Sequence, residues 1–370
     1  MKTKIIEFSR NASCKQKILA MWKFSVKLLI FTNLNIYKYF NFKPRIFYGG
    51  AISGSNGGPQ VKMQRLVSKF PQRILNFDML YILSNYAYLD ESDYKKIKKK
   101  TLPVVLNQNG IYNFGWYGEG WEKQNSGNKL AYLNADYVFW QSEFAKKTTE
   151  LFFNDITPLG EILYNAVDLN SFKPIKKNHH HFSFLLAGNF NTKSYYQIEA
   201  GIRAFSLVFK TNRKAKLIIA GEDHEVRLMA NNLAKDLGID SNTLFKGKYN
   251  QTEAPHLFAQ ADAYLALKYL DTCPNLVIEA LACGVPVVYS STGGVAELVG
   301  MDSGVGIALF EDYNLQPHAP SVKDISQAME EVMSKYLFFS TNARDRALQK
   351  FDLSNWLNRH EQIFEKLRNK

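Results

Sequence analysis

From His181 onward, short apolar runs alternate with segments of helical period, and this alternation restricts the fold more than any other feature of the chain. His181–Ala187, Lys216–Ala220, Thr243–Phe245, Asp262–Leu267 and Pro286–Ser290 read as strands. Tyr195–Phe209, Val226–Leu237, Ala254–Ala259 and Leu276–Cys283 read as the helices between them. Strands joined through helices pair in parallel, and a parallel sheet is covered on both faces. An earlier series opens with a buried strand, Arg45–Gly50, a Gly/Ser-rich loop, Ser53–Pro59, and a helical segment, Val61–Val67. Strand, glycine loop, helix is how a Rossmann-like unit starts. Met79–Leu83, Pro103–Leu106, Tyr137–Gln141 and Ile162–Tyr164 continue it as strands. At 370 residues the chain exceeds one compact core. The expectation is an α/β chain of two Rossmann-like domains, residues 44–172 and 173–353, facing each other across a cleft.

Residues 1–43 stand apart as a basic helical arm. Up to Arg45 there are ten Lys and Arg side chains against Glu7 alone, so this stretch holds nine of the chain's twelve net positive charges. The body is close to neutral, and the arm, not the whole molecule, asks for an anionic partner. Ile18, Leu19, Trp22, Val26, Leu29 and Ile30 fall near helical spacing, with Lys15, Lys23 and Lys27 elsewhere on the wheel. Two readings are open. The helix inserts Trp22 and Phe24 into an anionic membrane surface while its lysines meet headgroups, or it packs on the first domain. Nucleic acid is not expected, because Trp22 and Phe24 alone make a thin stacking platform. No apolar run reaches the ~20 residues of a membrane span. Cys14, Cys273 and Cys283 have neither disulfide nor zinc spacing. The compartment expected is cytoplasmic, with peripheral contact on the inner face of the membrane. His179-His180-His181 reads as linker, since adjacent residues do not face one metal.

The chemistry concentrates in Asp271-Thr272-Cys273-Pro274-Asn275-Leu276-Val277-Ile278-Glu279-Ala280-Leu281-Ala282-Cys283-Gly284-Val285-Pro286-Val287-Val288. A loop opens a helix, the helix stops at Gly284, and a buried strand follows. Pro274 and Gly284 match the preferences of helix ends. The free N–H groups of Asn275, Leu276 and Val277 suit an anion. Glu279 lies one turn in, on the face of Asn275, and suits a pair of hydroxyls such as those of a ribose.

This block resembles the retaining glycosyltransferases of the GT-B fold, in the family-four (glycosyl transferases group 1) type. Their hallmark is two acidic residues separated by seven others, then Ala, Gly and Pro-Val-Val; here these are Asp271, Glu279, Ala280, Gly284 and Pro286–Val288. The resemblance extends over roughly residues 44–370. It implies a GT-B chain whose helix 354–370 returns to the first domain. It implies that Glu279 holds the ribose hydroxyls of a nucleotide sugar, that Asp271 meets the transferred sugar, and that the amides of 275–277 bind donor phosphate or sugar. Lys248 and Tyr249 fall in the segment whose backbone meets the base. Gly293 and Gly294 lie in the family's glycine turn, and Leu163–Asp168 resembles the crossover between domains.

Three departures are visible. The first acid is Asp271 where Glu is usual. After Gly188, Asn189 occupies the place of the family's diphosphate-binding Arg, leaving Lys193 as the surviving cation with Lys268 as a candidate substitute. Where many relatives carry an acceptor-side His, this chain has Gln108 and Asn109, amides that position a hydroxyl but do not act as a base at neutral pH. Trp116–Glu122, rich in aromatics and glycine, is read as lining the acceptor side, with Tyr117 and Glu119 contacting the saccharide or lipid-linked acceptor. Gly57 and Gly58 let the first domain's backbone approach the donor. No Asp-x-Asp motif stands at a strand end, so no metal and no cofactor beyond the nucleotide sugar is expected. The activity expected is retaining, metal-independent glycosyl transfer in cell-surface glycan or polysaccharide synthesis. The alternatives are a non-catalytic sugar-nucleotide-binding protein and a nucleotide-sugar epimerase on the same fold.

Overall fold

A computed structural model describes residues 14–36, 44–51, 58–153, 157–175 and 181–369. The first domain runs through α1 (Cys14–Ile36), β1 (Ile46–Phe47), α2 (Gly58–Lys69), β2 (Met79–Leu83), α3 (Glu91–Lys99), β3 (Val104–Gln108), α4 (Phe114–Tyr117), α5 (Trp121–Asn134), β4 (Tyr137–Trp140), α6 (Glu143–Phe153) and β5 (Gly160–Ile162). Its five strands are parallel in the order β1-β2-β3-β4-β5. On its other side Ile46 forms an isolated parallel bridge to Gln72. The chain therefore leaves β1 through α2 in one direction, then crosses back to β2 in the other. That reversal is a topological switch point, the place where open α/β sheets bind ligands. β5 starts at Gly160, two residues before the expected strand, because Gly160 packs directly beneath the Trp140 ring and the Val138 carbonyl, where a side chain has no room.

The second domain continues with β6 (Ser183–Phe190), α7 (Tyr195–Thr211), β7 (Lys216–Glu222), α8 (His224–Asp236), β8 (Thr243–Phe245), α9 (Ala254–Ala259), β9 (Ala263–Ala266), α10 (Asn275–Ala282), β10 (Val287–Ser290), α11 (Val295–Val299), β11 (Gly304–Ile307), α12 (Val322–Ser334), α13 (Tyr336–Lys350) and α14 (Leu353–Arg368). Its strands are parallel in the order β11-β10-β9-β6-β7-β8. Here the switch lies between β6 and β9, whose carboxyl ends lead into Asn189 and into the Lys268–Thr272 loop. One face of this sheet is covered by α9, α10, α11 and α13, the other by α7, α8 and α12.

The last helix, α14, leaves the second domain and packs on the first. Trp356, Ile363, Phe364 and Leu367 join a core with Ile46, Met63, Leu66 and Tyr81. Within it His360 is fully buried, 3.1 Å from the Tyr81 hydroxyl, and desolvation pushes its pKa down to about 3, so it is neutral.

The arm helix α1 is divided between core and surface. Val26, Ile30 and Leu34 enter the core beside Phe77 and Leu80. Buried Asn33 donates to the Phe77 carbonyl at 2.9 Å and accepts from its N–H at 3.0 Å. For Trp22 and Lys27 the packing reading holds: both are committed to the domain. Trp22 meets the Tyr88 ring edge-on at 5.2 Å, and Lys27 pairs with Asp90 and Asp93, because the loop into α3 and that helix's first turn offer an aromatic and two carboxylates there. Ile18, Leu19, Met21, Phe24 and Leu28 remain exposed. Among the described residues no helix is long and apolar enough to cross a membrane.

Candidate functional site

The site is built where α10 begins. Pro274 precedes the helix in an extended conformation and gives no side-chain cap, so the first-turn N–H groups keep their capacity for an acceptor. The helix ends at Gly284, whose φ of +67° makes the left-handed turn that an L side chain would strain. One turn in, Glu279 is only 1% exposed. Its Oε1 accepts from Gln251 Nε2 at 2.8 Å and from Arg65 Nη2 at 3.3 Å, while Oε2 is buried with no partner among the described residues. Burial pushes the carboxyl above the usual glutamate range; Arg65 and Gln251 pull it back without cancelling the rise. Arg65 is on α2, so this carboxylate faces the gap between the domains.

The two domains meet closely around that pair. Arg65 Nη1 lies 3.5 Å from Asn275 Oδ1. A Cβ placed on Gly58 would sit 3.7 Å from Asn275 Nδ2. Gly57 lies outside the described residues. Leu276 packs partly on the second core and the Val277 side chain is fully buried, so these two can offer only their backbone to a ligand.

Glu222, at the end of β7, accepts from the Gly247 N–H at 2.8 Å and from Arg227, which pins the loop carrying Lys248 and Tyr249. Tyr249 is near enough to Glu279 for that charge to raise its already desolvated hydroxyl further, and its ring approaches Gly221 beside the Gly188 carbonyl. Gly188, Tyr249 and Glu279 thus share one end of the sheet. Asn189 and Lys248 are exposed there.

Asp271 lines an interdomain cavity of about 190 Å³ together with Asn85, Asn109, Tyr112, Trp116 and Thr272. Lys268, the candidate substitute cation, pairs with Asp271 at 3.1 Å and is thereby half-occupied by the acid it neighbours. The turn glycines differ from their expected role. The Gly293 N–H donates to Glu311 at 2.7 Å and the Gly294 N–H to the Asp271 carbonyl at 2.8 Å, so neither amide is left for a donor. A Cβ on either would collide with the 270–272 backbone, and the pair serves to let that loop close. Lys193 sits on the turn after β6 with its side chain in solvent and its N–H given to Asn191.

On the acceptor side, Asn109 faces the cavity and Trp116 stacks with Tyr112 at 5.1 Å within its wall. Tyr117 and Glu119 are exposed and do not line the cavity, the Tyr117 ring meeting Tyr112 edge-on at 5.2 Å. Gln108 is buried, its amide donating to the Gly110 carbonyl at 2.7 Å and its Oε1 unpartnered among the described residues.

Two cations on α2 were not found from sequence. Arg65 reaches Glu279, and Lys62, 3% exposed, donates to Asn107 Oδ1 at 2.6 Å and Asn109 Oδ1 at 3.2 Å. The available signal was their position after the glycine loop: Gly58, Lys62 and Arg65 follow i, i+4, i+7 and share one helix face.

Residues 169–346 match the family model described as "Glycosyl transferases group 1". Over 322 residues the chain is 22% identical to the Bacillus subtilis (strain 168) protein named "Putative glycosyltransferase YtcC", covering 79% of this chain and 74% of that one. It is 30% identical over 109 residues to N-acetyl-alpha-D-glucosaminyl L-malate synthase of Bacillus anthracis; that match spans 30% of this chain and only 28% of the relative's length. Among solved structures, sucrose-phosphate synthase from Thermosynechococcus elongatus aligns with a TM-score of 0.64 at 14% identity, covering 84% of this chain and 77% of that one. Anabaena Alr3699/HepE in complex with UDP aligns at 0.61 and 17%, covering 80% and 79%.

Proposed function

We propose that this chain, a GT-B-fold protein whose second domain is of the glycosyl transferases group 1 family, moves a sugar with retention from a nucleotide diphosphate sugar to a saccharide or lipid-linked acceptor. The observation that carries the reading is Glu279: a carboxylate buried in the interdomain gap with one oxygen lacking a partner among the described residues. A buried acceptor without a donor is costly, and a ribose hydroxyl supplies the donor. The uncapped start of α10 takes the diphosphate, with Lys193 at the rim. Asp271 meets the hydroxyls of the transferred sugar in the cavity, and the Tyr112–Trp116 stack offers the acceptor an aromatic wall. Gln108 and Asn109 orient a hydroxyl, and the departing phosphate serves as base.

The reading takes no metal, since backbone N–H groups and lysines carry the anion. It places the protein on the inner face of a membrane in glycan synthesis, held by the exposed Ile18, Met21, Phe24 and Leu28 stripe and the arm's lysines. The test is a thermal-shift panel of nucleoside diphosphates and their sugars. One base should raise the melting temperature, and its sugar conjugate should be consumed; a flat panel removes the assignment.

A further inference from the structure

Asn189 brings no charge to the diphosphate, and Lys193 is exposed. Lys62 presents the reverse situation, a buried cation with no anionic partner among the described residues. Its Nζ is held by Asn107 Oδ1 and Asn109 Oδ1, and Gln141 donates to the same two oxygens. Gln141 Oε1 in turn accepts from Asn165 at 3.0 Å, and Asn165 donates to the Cys273 carbonyl at 3.0 Å, one residue before Pro274. The cage is entirely of neutral amides. Among the described residues no ion pair to Lys62 is found, whereas Lys27, Arg45, Arg65 and Lys69 on the same domain each have a carboxylate.

A buried ammonium without a counter-charge is unfavourable, and an arriving anion relieves it. The stripe Gly58, Lys62, Arg65 is aimed at the first turn of α10: Gly58 and Arg65 both approach Asn275, and Lys62 lies between them. Asn109, which Lys62 touches, also lines the cavity that holds Asp271. We propose that Lys62, reaching across from the first domain, is the cation that binds the donor diphosphate in this protein, in the role that Asn189 leaves vacant. The proposal rests on the nucleotide-sugar reading above.

Burial, with Arg65 nearby, pushes Lys62 down to about 7, so without a bound anion it is only partly charged near neutrality. The other titratable neighbours do not compete for its proton. Arg65 stays charged, the Cys273 thiol is pushed up to about 12, and His360 is held neutral at about 3. Diphosphate binding at pH 8 therefore draws a proton onto Lys62.

The experiment is calorimetric titration of the full chain with uridine and guanosine diphosphates, their monophosphates and inorganic pyrophosphate, at pH 8 in two buffers of different ionisation enthalpy. The variants are Lys62→Met and Lys62→Gln. Glutamine can still donate to Asn107, so a merely structural lysine is rescued by it. The expected result is at least tenfold weaker diphosphate binding in both variants, little change for the monophosphate, and loss of proton uptake. Melting temperatures equal to or above the wild type verify the fold, since a buried charge has been removed. Diphosphate affinity in K62Q or K62M within twofold of the wild type overturns the proposal and leaves the transferase reading standing. Lys62-dependent pyrophosphate binding without any nucleotide binding overturns the transferase reading and leaves the oxyanion site. If the wild type binds neither pyrophosphate nor nucleotide, both are overturned.

Discussion

Replacing Glu279 by glutamine isolates the carboxylate from its shape. Oε1 is used by Gln251 and Arg65 while Oε2 is buried and unpartnered among the described residues. The amide oxygen of glutamine still accepts from both donors, so the helix and the domain contact should survive. Two ribose hydroxyls donating to a carboxylate form charge-assisted bonds of ~1.5–3 kcal/mol each, against ~0.5–1.5 for a neutral acceptor. Glutamine's one acceptor oxygen is already taken by Gln251 and Arg65, so both charge-assisted bonds are lost, about 3–6 kcal/mol, roughly 10²- to 10⁴-fold in affinity at ~1.4 kcal/mol per decade. The assay is calorimetric titration with the nucleoside diphosphate that stabilises the wild type and with its 2′-deoxy counterpart. Wild type should lose about tenfold on removal of the hydroxyl, and E279Q should hardly distinguish the two ligands. An equal deoxy penalty in both proteins refutes the ribose role. The empty protein gives a second readout. Because burial raises the folded carboxyl above its unfolded value, the stability it contributes is present at low pH and lost as pH climbs through the raised value. E279Q should lack that loss in urea titrations across the acid range.

Asp271→Asn should lower kcat by roughly 10- to 100-fold, the range of one charge-assisted hydrogen bond, with nucleoside diphosphate affinity unchanged; a purely affinity-based defect would contradict its contact with the transferred sugar. Lys62, whose folded pKa is depressed, contributes stability above pH 10.5 that is lost as pH falls towards about 7. Relative to K62M, the wild type should therefore gain about 2 kcal/mol between pH 7 and pH 9 in urea unfolding; parallel pH profiles would show that Lys62 keeps an ordinary pKa. Removing residues 1–43 should destabilise the first domain, because Val26, Ile30, Asn33 and Leu34 are core residues. The membrane reading is tested instead by Met21, Phe24 and Leu28 changed together to serine, which should release the protein from anionic vesicles in flotation without lowering the melting temperature; equal flotation ends that reading.

The features legible in the chain alone are local ones. The alternation of apolar runs and helical periods located ten of the eleven described strands to within a few residues and missed β11, since strand and helix period are properties of neighbours in the chain. The same locality put Asn275 and Glu279 on one face of one helix and stopped that helix at Gly284. Tertiary structure alone decided what lies opposite. Arg65 and Glu279 are 214 positions apart, and nothing around Arg65 differs from a lysine- and arginine-bearing surface helix. Whether such a side chain faces water or a buried carboxylate depends on how two domains dock, a relation that no local periodicity encodes. Lys62 was hidden for the same reason. Its neighbours Met63 and Leu66 mark the face that packs on the sheet, while the cage of Asn107, Asn109 and Gln141 comes from strand ends brought together by parallel pairing. The glycine turn after β10 was legible as a turn, yet the use of its two N–H groups was settled by the approach of Glu311 and of the Asp271 carbonyl.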